Sequence, residues 1–176
     1  MIEKGLLHVY TGDGKGKTTA SLGLVLRASG YDHKALMIQF IKGDWHYGEL
    51  TSQELLPNFC IERYGLGFVG IQNDPHTFEE HRLEALKGLA RARKVLESKD
   101  FDLVILDELN VVNDLGLIND SEVKSLLDID KGVTNLVITG RGAKEFLLKK
   151  ADLVTNMIVV KHPFDKGIFA RKGLEF

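Results

Sequence analysis

A glycine-rich segment, TGDGKGKTT at positions 11–19, constrains the fold of this chain more than any other feature. Residues 6–10 before it form a short apolar run with β-favouring side chains, and residues 18–28 after it have the pattern of a helix. Glycines allow consecutive backbone N–H groups to turn toward one anion, and the amino terminus of a helix adds partial positive charge. The segment therefore predicts a P-loop, the turn that binds nucleotide phosphates between a strand and a helix.

Two residues of this segment have specific expected roles. Lys17 is expected to reach the terminal phosphates, and the hydroxyl group of Thr18 is expected to bind Mg²⁺. The strict P-loop pattern has glycine at the position of Thr11, so this chain departs from the pattern at one residue. A glycine-rich turn without a ligand is the alternative, but G-K-T-T between a strand and a helix favours the P-loop.

A second apolar run ends in two carboxylates. Residues 103–106, LVIL, are followed directly by Asp107 and Glu108. A P-loop protein needs an acidic group at the end of another strand to position the metal ion and its water. Asp107 and Glu108 are therefore candidate metal ligands together with Thr18, and the pattern does not distinguish between the two carboxylates.

Two arginines are candidates for neutralising phosphate charge. Arg141, in the segment TGRG, follows another predicted strand, at the edge where open parallel sheets bind ligands. A solvent-exposed turn arginine is the alternative interpretation. Arg27 lies on the helix after the P-loop, and its spacing from Thr18 allows it to face either the nucleotide or the solvent.

Alternating apolar and amphipathic segments indicate the class of fold. Further strands are predicted at residues 35–41, 101–106, 134–139 and 153–160, and helices at residues 77–98 and 143–150. Strands that are apolar throughout belong to parallel sheets that are covered on both faces. We therefore expect an α/β protein with the three-layer P-loop NTPase (RecA-like) fold and a mainly parallel central sheet, formed as a single domain of residues 1–176.

Two parts of this pattern carry more specific expectations. The long helix at residues 77–98 is expected to be amphipathic, because apolar residues recur near helical spacing at Leu83, Leu86, Ala90 and Leu96. Residues 43–75 are rich in glycine and proline and are expected to form long loops, which often carry function.

Composition and charge exclude several classes of partner. The 23 basic residues nearly balance the 25 acidic ones, so the net charge of -2 gives no general attraction to nucleic acid or to an anionic membrane. Cys60 is the only cysteine, which excludes an internal disulfide and fits a reducing compartment. No apolar run is long enough to span a bilayer, and no signal peptide precedes the first strand pattern. We expect a cytoplasmic protein that binds neither nucleic acid nor membrane.

Five segments together resemble one family of P-loop proteins, the ATP:corrinoid adenosyltransferases. In order along the chain they are TGDGKGKTTA, MIQFIKGDWHYGE, VILDELN, ITGRGA and ADLVTNMIVVKHPFDKGIFARKG. The resemblance covers nearly the whole chain and implies a transferase of adenosylcobalamin biosynthesis or salvage. In this family the Co(I) of a reduced corrinoid attacks the 5′-carbon of ATP, which binds with its triphosphate reversed in the P-loop. The resemblance also implies a homodimer and an electron-donating reductase as a partner.

The same resemblance implies roles for individual residues. The implied nucleotide-binding residues are Gly12, Asp13, Gly14, Lys15, Gly16, Lys17, Thr18, Thr19 and Arg27. Lys17, Glu108 and Arg141 are the implied catalytic residues, because the protein must orient ATP and stabilise the leaving triphosphate. ATP is the implied co-substrate and Mg²⁺ the implied cofactor. Asp13 stands where the family usually has asparagine.

Two aromatic side chains are the expected corrinoid contacts. The segment YGLGFVGIQN at 64–73 resembles a family loop in which two aromatic residues press on the corrin face and displace its lower axial ligand. Phe68 matches the first aromatic residue, whereas Gly70 lies where some members have tryptophan. Trp45, in GDWHYGE, resembles part of a second family loop and is expected to line the same pocket. An ordinary half-buried tryptophan is the alternative for Trp45.

Two other functions account for the P-loop and the acidic strand end. One is a kinase or NTPase that binds ATP in the ordinary orientation and transfers the γ-phosphoryl group. The other is a nucleotide-sensing module with little or no hydrolysis. Neither accounts for the matches around Trp45 and in the segment that begins at Lys161, so adenosyl transfer is the preferred hypothesis. The pattern does not indicate whether complete cobalamin or a precursor is the substrate.

Overall fold

A six-stranded sheet forms the centre of the computed structural model, which describes residues 4–71 and 74–176. The strands are β1 (Leu7–Thr11), β2 (Ala35–Gln39), β3 (Phe59–Arg63), β4 (Leu103–Asp107), β5 (Asn135–Thr139) and β6 (Leu153–Asn156). Their order across the sheet is β3-β2-β4-β5-β1-β6, and each recorded pair is parallel. The expected α/β fold with a parallel central sheet is confirmed.

Helices connect these strands. They are α1 (Lys17–Ser29), α2 (Gly48–Ser52), α3 (Phe78–Ser98), α4 (Leu109–Asp114), α5 (Asp120–Leu127) and α6 (Glu145–Lys150), with short 3₁₀ helices at Gln53–Leu55 and Pro163–Lys166. The sequence predicted α1, α3 and α6, with boundaries that differ by one or two residues. The strand predicted at 153–160 is shorter than expected, because β6 ends at Asn156.

Side chains from the central strands point alternately to two apolar cores, one on each face of the sheet. Leu36 and Ile38 of β2 belong to one core, whereas Ala35 and Met37 belong to the other. Residues of α3, α5 and α6 pack in the first core, and Val25 of α1 packs in the second. The three layers expected from the sequence are therefore present.

The buried face of α3 differs from the one predicted. Leu96 is buried and Leu86 is half-buried, as expected, but Leu83 is 52% exposed and Ala90 is also exposed. The buried residues of this helix are His81, Ala85, Gly88, Leu89, Ala92, Val95 and Leu96. The predicted amphipathic helix is therefore present, but only two of the four residues that indicated it face the core. Several of the buried residues are small, so they contribute little to an apolar pattern although they allow close packing.

The stretch at 43–75, expected to consist of loops, contains α2 and β3. β3 is an edge strand that pairs only with β2 among the described strands. Its sequence, FCIER, ends in charged residues, and Glu62 forms an ion pair of 2.8 Å with Arg91 of α3. An edge strand with polar residues lacks the continuous apolar run that identified the others. Gln72 and Asn73, at the end of the expected corrinoid loop, lie outside the described residues, as do residues 1–3.

Two glycines in helices provide a test of the packing of α3. A Cβ atom on Gly88 would lie 2.8 Å from Tyr64 Cβ and 2.9 Å from Phe40 Cε1, whereas one on Gly23 of α1 would meet no atom within 4 Å. We expect Gly88→Ala to destabilise the protein by about 1–3 kcal/mol through overpacking. Gly23→Ala, the matched control, should stabilise it by roughly 0.5–1 kcal/mol through helix propensity. Urea unfolding measures both, and a stabilised Gly88→Ala variant would contradict the packing.

Candidate functional site

The predicted site residues follow strands whose carboxyl ends lie at one edge of the sheet. The P-loop follows β1, Asp107 is the last residue of β4, and Thr139 is the last residue of β5. β4, β5 and β1 are neighbours in the sheet, so these groups lie close together. Gln39, the last residue of β2, lies beside Asp107 in the same register.

An open cavity of about 1130 Å³ lies at this edge. Its lining contains residues 14–19 of the P-loop together with Glu108 and Arg141. It also contains Trp45 and Phe68, from the loops that follow β2 and β3. The predicted site residues that do not line the cavity are Gly12, Asp13, Arg27 and Asp107. The structure thus brings the P-loop and the two predicted corrinoid contacts to one cavity.

The backbone of the P-loop requires glycine at two positions. Gly12 and Gly16 have φ angles of 95° and 107°, in the left-handed region that other residues disfavour. A Cβ atom on Gly12 would lie 2.2 Å from Asn156 Oδ1, so the loop packs tightly on the end of β6. The Gly14 N–H donates to the carbonyl oxygen of Met157 over 2.7 Å. The phosphate contact expected for Gly14 therefore stays a prediction.

The Lys17 side chain is folded back across the P-loop. Its Nζ donates to the carbonyl oxygens of Gly12 and Gly14, over 2.6 and 2.7 Å. Burial lowers the pKa of Lys17, the charge of Glu108 opposes this shift, and the charge of Arg141 adds to it. The ammonium group therefore holds the loop in its present shape and lines the cavity.

The buried carboxylate of Asp107 joins three elements. Its Oδ1 accepts hydrogen bonds from the hydroxyl groups of Thr18, over 2.9 Å, and Thr139, over 2.7 Å. Its Oδ2 accepts a hydrogen bond of 3.3 Å from Gln39 Nε2, and Lys42 Nζ lies 3.9 Å away. Both oxygens are therefore engaged by protein groups, one of which is the hydroxyl predicted to bind the metal ion.

Glu108 has a different environment from Asp107. Its backbone has a φ of 64°, and its N–H donates to Thr139 Oγ1 over 3.0 Å. Burial, and then the charge of Asp107, raise the pKa of Glu108 to about 7, although three nearby cations oppose the shift. Within residues 4–71 and 74–176 its carboxyl group has no hydrogen-bond partner, and it lines the cavity. Of the two candidate carboxylates, Glu108 faces the open space.

The two predicted arginines lie in different places. Arg141 is exposed and lines the cavity, and its charge affects the pKa values of Lys17 and Glu108. Arg27 is exposed in the last turn of α1 and does not line the cavity. The structure therefore brings Arg141, but not Arg27, to the P-loop cavity.

The aromatic side chains at the cavity are largely accessible to solvent. Trp45 is 74% exposed and Phe68 is 60% exposed, so the alternative of a half-buried tryptophan does not describe Trp45. The loop that carries Trp45 is held by Arg63, whose Nη1 donates to the carbonyl oxygens of Gly43, over 2.7 Å, and Trp45, over 3.1 Å. Exposed aromatic rings that line a cavity are suited to contact a large apolar ligand.

A charged pair that no sequence motif indicated also lies at the cavity. Lys42 and Glu49 form an ion pair of 2.6 Å, and Lys42 Nζ lies 4.3 Å from the centre of the Tyr47 ring. Burial acts to raise the pKa of Glu49, but the hydrogen bond and charge of Lys42 hold it below its ordinary value. All three residues belong to the quoted segment IKGDWHYGE, but their contact depends on a turn whose shape the sequence did not predict.

Residues far along the chain also line the cavity. Residues 173–176 contribute to its lining, and Glu175 forms an ion pair with Lys15 of the P-loop. The sequence did not indicate this contact, because the P-loop and residues 173–176 are separated by almost the whole chain. Residues 173–176 also have no apolar pattern typical of a helix or strand.

Residues 4–71 and 74–176 contain no group of three or more His, Cys, Asp or Glu side chains arranged to hold a metal ion. None of the helices in this described part combines the length and the apolar sequence that a membrane span requires.

Comparison with known proteins gives one consistent result. The family described as ATP:corrinoid adenosyltransferase BtuR/CobO/CobP matches residues 3–176. A corrinoid adenosyltransferase of a Sinorhizobium species is 37% identical over 175 residues, which cover 99% of this chain and 81% of that protein. Corrinoid adenosyltransferases of Pseudomonas aeruginosa and Escherichia coli K12 are 35% and 33% identical, over 99% of this chain and 85% and 87% of their own lengths.

The raised pKa of Glu108 predicts a pH-dependent effect on stability. The folded protein holds this proton up to about pH 7, whereas the ordinary pKa is 4.5, so the contribution of Glu108 to stability falls as the pH rises through that window. Without ligands, Glu108→Gln should therefore stabilise the protein at pH 8, by up to about 3 kcal/mol at roughly 1.4 kcal/mol per pKa unit.

Urea unfolding with a chelator present measures this effect, which should become small near pH 5. Glu145→Gln, at a side chain that is 80% exposed on α6, is the matched control and should change the free energy of unfolding by less than about 0.5 kcal/mol. A Glu108→Gln variant that is less stable than the original protein at pH 8 would contradict the burial of a neutral carboxyl group.

Proposed function

The chain belongs to the ATP:corrinoid adenosyltransferase family, and we propose that residues 1–176 form a single domain whose P-loop cavity carries out the family reaction. Transfer of the adenosyl group of ATP to a corrinoid is the family function and the function of this chain. The observation that carries the proposed site is the lining of one cavity by the P-loop, Glu108 and Arg141 together with Trp45 and Phe68. Such a cavity has polar groups for a triphosphate and aromatic groups for a corrin ring.

The proposed chemical step is a displacement at the 5′-carbon of ATP. An electron pair of Co(I) forms the new cobalt–carbon bond, and the bond from the 5′-carbon to oxygen breaks, its electrons leaving with the triphosphate. Co(I) is already a strong nucleophile, so the step requires no general base. The protein therefore has to orient two substrates and stabilise the leaving anion.

Lys17 and Arg141 are the proposed groups that stabilise the triphosphate. In the described structure Lys17 Nζ binds two carbonyl oxygens of the loop, and phosphate oxygens would compete with these partners or add to them. Arg141 is exposed at the same cavity and can reorient at low cost. Backbone N–H groups at the start of α1 and the hydroxyl of Thr19 would bind the remaining oxygens.

Mg²⁺ is the proposed cofactor. The Thr18 hydroxyl and the nearby carboxylates are hard oxygen donors, the type that Mg²⁺ prefers. We assign direct contact to Thr18 and Glu108, because both Asp107 oxygens already accept hydrogen bonds from protein groups. Asp107 would instead hold the Thr18 hydroxyl in place. When bound, Mg²⁺ would neutralise part of the triphosphate charge.

Phe68 and Trp45 are the proposed corrinoid contacts. A lower axial ligand makes Co(II) hard to reduce, because it raises the energy of the orbital that the incoming electron enters. An apolar side chain in place of that ligand makes Co(I) accessible. Phe68 lies at the cavity between Gly67 and Gly70, whose φ angles of 112° and 68° allow a tight loop. We propose that Phe68 alone performs this role, since Gly70 replaces the second aromatic residue.

The proposed partners are a reductase and a second copy of the chain. Each catalytic cycle consumes Co(I), so an electron donor must regenerate it, and we place the protein in the reducing environment of the cytoplasm. Support for a homodimer comes from exposed apolar side chains near and beyond the edge strand β6, among them Ile158, Val160 and Phe169. An open strand edge with apolar neighbours is a common feature of subunit interfaces.

Product analysis tests the proposed reaction. With ATP, Mg²⁺ and chemically prepared cob(I)alamin, we expect adenosylcobalamin and inorganic triphosphate in equal amounts. A kinase would release ADP, and a nucleotide-sensing module would leave ATP intact, so either result would contradict the proposal. Omission of the corrinoid should abolish the release of triphosphate.

The role of Lys17 predicts a large loss of activity in the Lys17→Ala variant. Removing one charged donor to the leaving group should lower kcat on the order of a hundredfold, or about 3 kcal/mol. Lys149→Ala, at an exposed position on α6, is the matched control and should keep full activity. Circular dichroism should show that both variants are folded. Activity of Lys17→Ala within about threefold of the original protein would disprove the role.

A further inference from the structure

The loop that carries Phe68 is held by contacts of residues other than Phe68. Phe68 is 60% exposed, so packing does not fix its position. At the amino-terminal side of the loop, the Gly67 N–H donates to the carbonyl oxygen of Ile41 over 3.0 Å. A Cβ atom on Gly65 would lie 2.5 Å from the Ile41 carbonyl carbon, so the backbones are in close contact there. This side of the loop is therefore fixed to the segment that directly follows β2.

Asp74 anchors the other side of the loop. Its Oδ2 accepts a hydrogen bond of 2.9 Å from the N–H of Gly70, two residues after Phe68. Its Oδ1 accepts a hydrogen bond of 3.0 Å from the N–H of His76, and its own N–H donates to the Ile71 carbonyl over 3.1 Å. The Asp74 carboxylate thus binds the backbone N–H of one residue before it in the chain and of one residue after it. Asp74 also lines the cavity.

His81 connects this carboxylate to a rigid helix. Its Nε2 lies 3.0 Å from Asp74 Oδ2, its side chain is almost fully buried, and its ring makes an edge contact with His76. His81 lies in the first turn of α3, a helix that begins with a capping box formed by Thr77 and Glu80. The same helix packs in the apolar core that contains Leu36 and Ile38, so it provides a fixed support for the loop.

We propose that Asp74 and His81 are positioning residues for the corrinoid, which hold Phe68 at the cavity by connecting Gly70 to α3. The inference rests on the proposed function, because it requires that Phe68 contact the corrin ring. It adds two residues outside the P-loop, which act on the corrinoid through the loop that carries Phe68. Both lie outside the P-loop and the predicted metal site, so their effect should be confined to the corrinoid half of the reaction.

The experiment compares Asp74→Asn and His81→Gln with the original protein in two assays. One assay starts from cob(II)alamin with a weak reductant and requires loss of the lower axial ligand. The other starts from chemically prepared cob(I)alamin, which has no such ligand to displace. Glu79→Gln is the matched control, because it removes an exposed carboxylate from the same first turn of α3.

We expect both variants to lose roughly tenfold or more in the cob(II)alamin assay, the order of effect of one hydrogen bond to a charged group. In the cob(I)alamin assay the loss should be less than about threefold, and the KM for ATP should stay within about twofold. Electron paramagnetic resonance of bound cob(II)alamin should show a smaller fraction without the lower axial ligand. Glu79→Gln should match the original protein in each measurement.

Three results would overturn the inference. Equal losses in the two assays, or a raised KM for ATP, would show that Asp74 and His81 only support the fold. Variants that behave like Glu79→Gln would show that the contacts are unimportant. If His81→Gln does not fold, Asp74→Asn decides the question, because its side chain lies in a loop and keeps its size. An original protein that forms no adenosylcobalamin from cob(I)alamin would instead refute the proposed function itself.

Discussion

One buried carboxyl group joins the sheet to the helix of the P-loop. Asp107 has no access to solvent, so its oxygens must be satisfied by protein donors, which include the hydroxyl groups of Thr18 and Thr139. These donors belong to α1, β5 and β2, and one carboxylate therefore fixes the relative positions of three elements. Lys17 precedes Thr18, so its position follows from the same contact. The geometry of the P-loop thus depends on the strand ends around Asp107 as much as on the glycine-rich turn itself.

Much of the fold could be predicted because central parallel strands are apolar throughout. β2 and β4 are buried at every residue, and their sequences could be recognised without knowledge of their partners. β3 could not be recognised in this way. It is an edge strand that contains Glu62, which forms an ion pair with Arg91 of α3, so it has no continuous apolar run. The buried face of α3 was only partly predicted for a related reason: small residues such as Gly88 pack closely but give a weak apolar signal.

In the site, too, residues within local motifs could be predicted from the sequence, whereas contacts between separate segments could not. Motifs identified Lys17, Glu108 and Arg141, and the structure brings all three to one cavity. The resemblance supplied Trp45 and Phe68, whose shared cavity could not be inferred from their spacing. Contacts that depend on turn shape or on distant segments, namely Lys42 with Glu49, Lys15 with Glu175 and Asp74 with His81, had no local signature.

The position of β1 within the sheet affects when the phosphate site can form during synthesis. β1 lies between β5 and β6, and Leu7 pairs with Leu136 while His8 pairs with Leu153. Both neighbours of the first strand are thus made more than a hundred residues after it. Contacts so distant along the chain form slowly, and on the ribosome they must wait until more than a hundred further residues have been made. Until β5 and β6 exist, β1 lacks both of its sheet neighbours, so a nucleotide that needs the assembled sheet edge cannot stabilise these earlier intermediates.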